Sequence, residues 1–83
     1  MRMTKVDLMT CLLSRDQHSF KRFYQDYERF MFRTGYRVTG CRTETAQLIL
    51  MIVKNIWDQP TVISRSPDRH LSVILQKLMV DHK

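Results

Sequence analysis

The stretch from Asp16 to Gly40, DQHSFKRFYQDYERFMFRTGYRVTG, decides the fold. At 100° per residue, Phe20, Phe23, Tyr24, Tyr27, Met31, Thr34 and Val38 fall within an arc of about 100°, while Arg22, Arg29, Arg33 and Arg37 gather on the opposite side. That periodicity predicts one helix over 17–39, with Asp16 as its N-cap and Gly40 just past its end. The aromatic stripe is continuous with the apolar period and so reads as core rather than as a stacking platform. The arginines admit two readings, a solvated face locally paired with Asp26 and Glu28, or a stripe facing an anion.

The same punctuation organises the rest of the chain. Two glycines and two prolines fall where helices stop or start, which predicts an all-α fold, a compact bundle of three longer helices plus a short N-terminal helix. Thr4 or Asp7 caps the short helix, which carries Val6, Leu8, Met9, Leu12 and Leu13 and ends near Ser14. Thr43 caps a third helix from Glu44 to Trp57. Its stripe of Ala46, Ile49, Leu50, Val53, Ile56 and Trp57 is backed by Leu48, Met51 and Ile52, so it is apolar nearly all round and needs covering on two faces. Either the short first helix lies across its back or a partner docks there. The segment 58–66, DQPTVISRS, reads as a loop, and Ser66 with Pro67 as the N-cap and first residue of a fourth helix running to the chain end. Leu71, Ile74, Leu75, Leu78 and Met79 are its predicted buried stripe.

Composition bounds the function. Eighty-three residues make a single domain, with 43% hydrophobic and 27% charged residues in the globular range. Fourteen Lys and Arg against eight Asp and Glu give a formal net charge of +6, which points to polyanionic partners. Cys11 and Cys41 are far apart and match neither a disulfide framework nor zinc spacing, so a reduced, cytoplasmic pair is expected. The basic N-terminus has no small-residue cleavage site, and the apolar stretch 46–53 is far too short to span a membrane. No membrane anchor, metal or cofactor is expected.

No enzyme is expected either. His18, His70 and His82 are widely separated, and no Ser, Cys or carboxylate has a spacing that puts a nucleophile and a base on one helix face. Gly35 and Gly40 form no phosphate-cradling loop.

Three ordered segments carry a resemblance. RDQHSFKRFYQDY, 15–27, resembles the G-D-x-x-A-F-x-x-L-Y-x-x-Y pattern that opens region 2, the N-terminal conserved domain, of bacterial RNA polymerase sigma factors of the extracytoplasmic-function group. Asp16, Phe20, Tyr24 and Tyr27 match outright. TAQLILMIVKNIW, 45–57, is similar to A-E-D-L-V-Q-E-V-F-L-R-L-W in that family, sharing Leu48, Ile49, Val53 and Trp57. HLSVILQKLMVDH, 70–82, resembles W-L-x-x-I-A-x-N-x-x-I-D-H, sharing Leu71, Ile74, Val80, Asp81 and His82. The similarity covers about residues 7–83.

The resemblance implies a helical domain that initiates transcription by binding RNA polymerase core and the non-template strand of the minus-ten promoter element. It assigns core binding to the third helix, at Gln47, Leu50 and Met51, where the family carries D-x-x-Q-E. Docking there should be more hydrophobic and less salt-sensitive than in the family. It assigns promoter DNA to the loop and fourth helix, at Arg65, Arg69, His70, Gln76, Lys77 and Lys83. His70 stands for the family's Trp and Lys77 for its Asn, which trades stacking area and base contact for phosphate attraction. Family members continue into a linker and a second DNA-binding domain, so the expectation is a piece of a longer protein or a single-domain relative. An anti-sigma or other protein partner is also implied. The alternative is a sigma-like interaction module that no longer initiates transcription and uses the apolar third-helix face for a partner or for self-association.

Overall fold

A computed structural model describes residues 2–81 of the chain. Five helices follow one another: α1 (Lys5–Ser14), α2 (Gln17–Thr39), α3 (Arg42–Asp58), α4 (Thr61–Ser64) and α5 (Leu71–Asp81). Among the described residues there is no strand, and the architecture is an all-α bundle of three longer helices with two short ones.

Helix α2 is the axis of the molecule. At a rise of 1.5 Å per residue its length is about 34 Å, close to the longest molecular extent of 35 Å. Its ends are those the sequence predicts. Asp16 Oδ1 accepts from the N–H groups of His18 and Ser19 at 3.1 and 3.2 Å, and Gly40, at φ +71°, donates its N–H to the Tyr36 carbonyl. Phe23, Tyr27, Met31 and Gly35 form the buried edge, while Arg22, Arg29, Arg33 and Arg37 are exposed. The aromatic stripe is core: Phe20 packs on Phe23 and on Trp57 with centroids 5.5 and 4.9 Å apart, and Phe23 packs on Tyr27 at 5.5 Å.

Helices α3 and α5 both pack against α2, and α1 closes its first half. Where α2 meets α3 the approach is set by Gly35, since a Cβ there would lie 3.0 Å from Thr45 Cγ2 and 3.7 Å from Leu48 Cδ2. Thr45 is fully buried, and its hydroxyl donates to the Cys41 carbonyl at 2.6 Å and lies 2.7 Å from the Thr39 hydroxyl.

Four expectations are corrected. Helix α3 begins at Arg42 rather than Glu44, because the Gly40 turn leads straight into it and the first helical bond runs from the Thr45 N–H to the Cys41 carbonyl; Thr43 is inside the helix, and Cys41 at the N-cap makes no side-chain cap bond. The buried arc of α3 is Thr45, Leu48, Ile49, Ile52 and Ile56, rotated by roughly 80° from the expected stripe at 100° per residue. A polar residue, Thr45, lies on its centre line, which is why apolar counting misplaced it. Ala46 and Leu50 face outward instead.

The predicted loop 58–66 contains α4, a single turn that exists to bury Ile63 completely. Helix α5 starts at Leu71, not Pro67. The Ser66 hydroxyl accepts from the Asp68 N–H and donates to Asp68 Oδ2, both at 3.3 Å, while Lys5 Nζ takes the carbonyls of Ser66 and Asp68 at 2.8 and 2.9 Å. Lys5 and the Ser66–Asp68 bonds hold this segment in a turn, and the first acceptor of α5 is the His70 carbonyl. Its buried residues, Leu71, Ile74, Leu75 and Met79, are those expected, with Leu78 half-buried.

Helix α1 starts from a capping box, in which Thr4 Oγ1 accepts from the Asp7 N–H and Asp7 Oδ2 from the Thr4 N–H. It buries Leu8, Cys11 and Leu12, leaving Val6 and Leu13 exposed, and it packs on α2 and α4. The outer face of α3 is therefore uncovered, with Leu50 62% and Met51 50% exposed. Arg15 joins the two ends of this layer. At φ 54° it turns the chain into α2, and its guanidinium lies over the Trp57 ring at 3.8 Å and donates to the Trp57 carbonyl at 2.6 Å.

Gly35→Ala should gain helix propensity of about 1 kcal/mol and lose more through overpacking, about 1–3 kcal/mol, because the two hydroxyl contacts of Thr45 hold its methyl in place. Net destabilisation is expected in chemical denaturation. Adding Thr45→Ser, which removes the methyl and keeps the hydroxyl, should recover most of it.

Candidate nucleic-acid interface

The N-terminal residues form a strap over α2. The Met3 N–H donates to Asp26 Oδ2 at 3.1 Å, the Tyr27 hydroxyl donates to the Met3 carbonyl at 2.6 Å, and the Arg2 guanidinium lies 5.6 Å from the Tyr27 ring centroid. Burial of Tyr27 pushes its phenol above the usual value, so it remains a hydrogen-bond donor at neutral pH. The strap and the Lys5 bonds bring Arg2 beside the start of α5.

Three clefts meet at Arg2, two of them without a carboxylate in their walls. The first lies between the strap and the N-terminal end of α5 and is lined by Arg2, Lys5, Tyr27, Arg69 and His70 among others. The second lies between α2 and α5, lined by Arg2, Phe30, Arg33, Arg37, Gln76 and Val80. Neither contains a carboxylate. A third, with Asp7 and Asp26 in its wall, takes Arg22. The arginine stripe of α2 is thus divided. Arg22 has acidic neighbours, whereas Arg33 and Arg37 enter an acid-free cleft.

Of the residues expected to contact DNA, Arg69 and His70 share the first cleft and Gln76 reaches the second. Lys77 is directed elsewhere: its ammonium pairs with Asp68 at 2.9 Å, the one ion pair among the described residues. Arg65, exposed at the end of α4, lines neither cleft. Lys83 lies outside the described residues. Of the residues expected to bind polymerase, Gln47, Leu50 and Met51 are all exposed on the outer face of α3.

Arg2 was not singled out from the sequence. Its position depends on a strap held by hydrogen bonds to Asp26 and Tyr27, more than 20 residues away, and no local pattern encodes that. Arg33 and Arg37 were legible as a stripe, but their separation from Arg22 required the positions of Asp7 and Asp26.

Among the described residues no group of three or more His, Cys, Asp or Glu could hold a metal ion. Cys11 is buried and Cys41 exposed, each as a free thiol, and burial followed by the nearby Asp16 charge pushes the Cys11 thiol up. No described helix is long and apolar enough to cross a membrane. No family model matches the chain, and no curated protein or solved structure matches it significantly.

The Lys77 hydrogen bond holds the Asp68 carboxyl below its usual range, as the Ser19 hydroxyl does for Asp16. A carboxyl depressed in the folded state contributes stability that is present above its unfolded pKa, about 3.9, and is lost as pH falls through the folded value. Melting temperature should therefore fall as the pH drops below about 4. Asp68→Asn should lose less over that acid range than the wild type, and an equal loss would exclude a contribution from the Lys77 pair.

Proposed function

We propose that this chain is a sigma-like transcription initiation domain that binds RNA polymerase core and the non-template strand of the minus-ten promoter element. The observation that carries this reading is the acid-free cleft in which Arg69 and His70, at the entry to α5, stand beside Arg2. Two guanidiniums and an imidazole around an open cleft suit a strand whose phosphates need positive charge and whose bases need a flat surface. Among the described residues neither guanidinium is in an ion pair, so neither must be released before a phosphate is engaged. Arg2 supplies the phosphate contact that the resemblance assigns to Lys77, which Asp68 occupies.

Helix α3 supports the core-binding half. Gln47, Leu50 and Met51 are exposed on it, and a face with two large apolar groups and an amide favours docking by burial over ion pairing. The same face favours the second reading, an interaction module whose α3 binds a protein partner or a second copy of the chain. Light scattering separates the two, since a concentration-dependent dimer that ignores DNA supports the second.

Immobilised domain should retain core polymerase, and a single-stranded minus-ten oligonucleotide should bind with an affinity that falls as salt rises. Four guanidiniums, Arg2, Arg33, Arg37 and Arg69, line the two clefts, while the Lys5 ammonium there is held by two carbonyls, so the logarithmic salt slope should be about −3 at roughly 0.7 per phosphate neutralised. Failure to retain core together with a flat salt response rejects the reading. Met51→Glu should weaken core retention about tenfold or more with the melting temperature unchanged, because Met51 is half exposed. Unaltered retention would remove α3 as the docking face.

A further inference from the structure

On the side of α2 away from its buried edge, Phe32 and Tyr36 are 36% and 45% exposed. Their rings sit one helical turn apart, 6.3 Å between centroids and 21° from parallel. They line an open cleft with Arg33, Arg37 and Arg42, and with nothing else. Arg33 and Arg37 also line the cleft between α2 and α5, and that cleft shares Arg2 with the one holding Arg69 and His70. The three clefts are therefore linked through shared residues, and none of them contains a carboxylate.

Helix chemistry accounts for only part of this. A cation near the C-terminus of α2 is favourable, and Arg37 occupies that place. Nothing in the fold calls for two further guanidiniums beside it, nor for two aromatic rings in solvent. Among the described residues none of Arg33, Arg37 and Arg42 is in an ion pair.

We propose that Phe32 and Tyr36 form a stacking surface for unpaired bases of single-stranded DNA, with Arg33, Arg37 and Arg42 holding the phosphates on either side. Every base has a π-face that an exposed ring can meet, so the surface tolerates sequence, and the flanking guanidiniums follow the backbone. Duplex DNA does not offer its base faces. A membrane surface fits less well, because a helix lying in a bilayer interface needs a broad apolar face, and α2 spends its own against α3 and α5. The strand leaving Arg69 and His70 would pass Arg2 and continue to Tyr36, which extends the contact well beyond the entry to α5. The existence of the site does not depend on the promoter reading; the choice of DNA over RNA does.

The test uses oligothymidylate, its duplex with oligoadenylate, oligouridylate and phosphatidylserine vesicles, with the full chain as it stands. Phe32→Ala with Tyr36→Ala should weaken oligothymidylate binding at least about tenfold, from the loss of two stacked bases, with the salt slope unchanged. Arg33→Gln with Arg37→Gln should instead flatten the slope by about 1.4. Phe32→Trp should keep the affinity, and the new indole should be quenched on binding. Circular dichroism should show native helicity in each variant, since all the altered side chains are exposed.

Unchanged oligothymidylate affinity in the double alanine variant overturns the proposal, whatever Arg69→Gln does. Equal loss on the duplex, tighter binding of oligouridylate, or vesicle binding that depends on the two rings overturns it as well. If core polymerase is not retained and the minus-ten sequence is not preferred, yet the alanine variant still loses oligothymidylate, the initiation reading fails and this site stands.

Discussion

The close approach of α2 and α3 at Gly35 is the constraint on which the remaining packing depends. Without a side chain at Gly35, Thr45 can come within contact distance of the α2 backbone, and the Thr45 hydroxyl then fixes the Cys41 carbonyl that begins α3. This sets the rotation of α3. With Thr45 turned inward, Leu48, Ile49, Ile52 and Ile56 must follow it into the core, and Leu50 and Met51 are carried to the outside. The exposed apolar face of α3 is thus a geometric consequence of one small residue and one polar one. Met79 Sδ also lies near Gly35, so α5 meets α2 and α3 at the same point.

The N-terminal residues are tied to the rest of the structure by hydrogen bonds. Lys5 takes two carbonyls from the segment before α5, and Met3 bonds to α2 through Asp26 and Tyr27. These contacts join residues more than 20 positions apart in each case, and they bring Arg2 to the junction of three clefts, two of them free of carboxylates. The ammonium bonded to two carbonyls holds the segment before α5 in a turn, and Arg69 and His70 precede the helix and border an open cleft.

Legibility followed the physics of each element. Helix α2 could be read to the residue, because its period, its Asp16 cap and its Gly40 end are all local and all agree. Helix α1 ends at Ser14 as expected, and of its two candidate caps Thr4 is the N-cap, with Asp7 completing the box. The rotation of α3 was not legible, since it turns on a buried threonine whose cost is met by Thr39 and Cys41. The start of α5 was not legible either. Ser66 and Pro67 satisfy the local rules for a helix start, but the segment is held in a turn by the Ser66–Asp68 bonds and by Lys5, 61 residues away from Ser66. In the proposed site, Arg69, His70 and Gln76 were already named by the resemblance, whereas Arg2, Phe32 and Tyr36 needed the fold.

Charge placement adds a last constraint. A net charge of +6 on 83 residues repels itself, and a chain with eight carboxylates could have relieved that by pairing them with its arginines. Among the described residues the one such pair is made by a lysine, Lys77 with Asp68, and no arginine is paired. Among the described residues the guanidiniums of the three linked clefts have no carboxylate partner. The proposed strand would therefore meet them without breaking an existing pair, and its successive phosphates would reach Arg69, Arg2, Arg33 and Arg42, where a single small anion would occupy one cleft only.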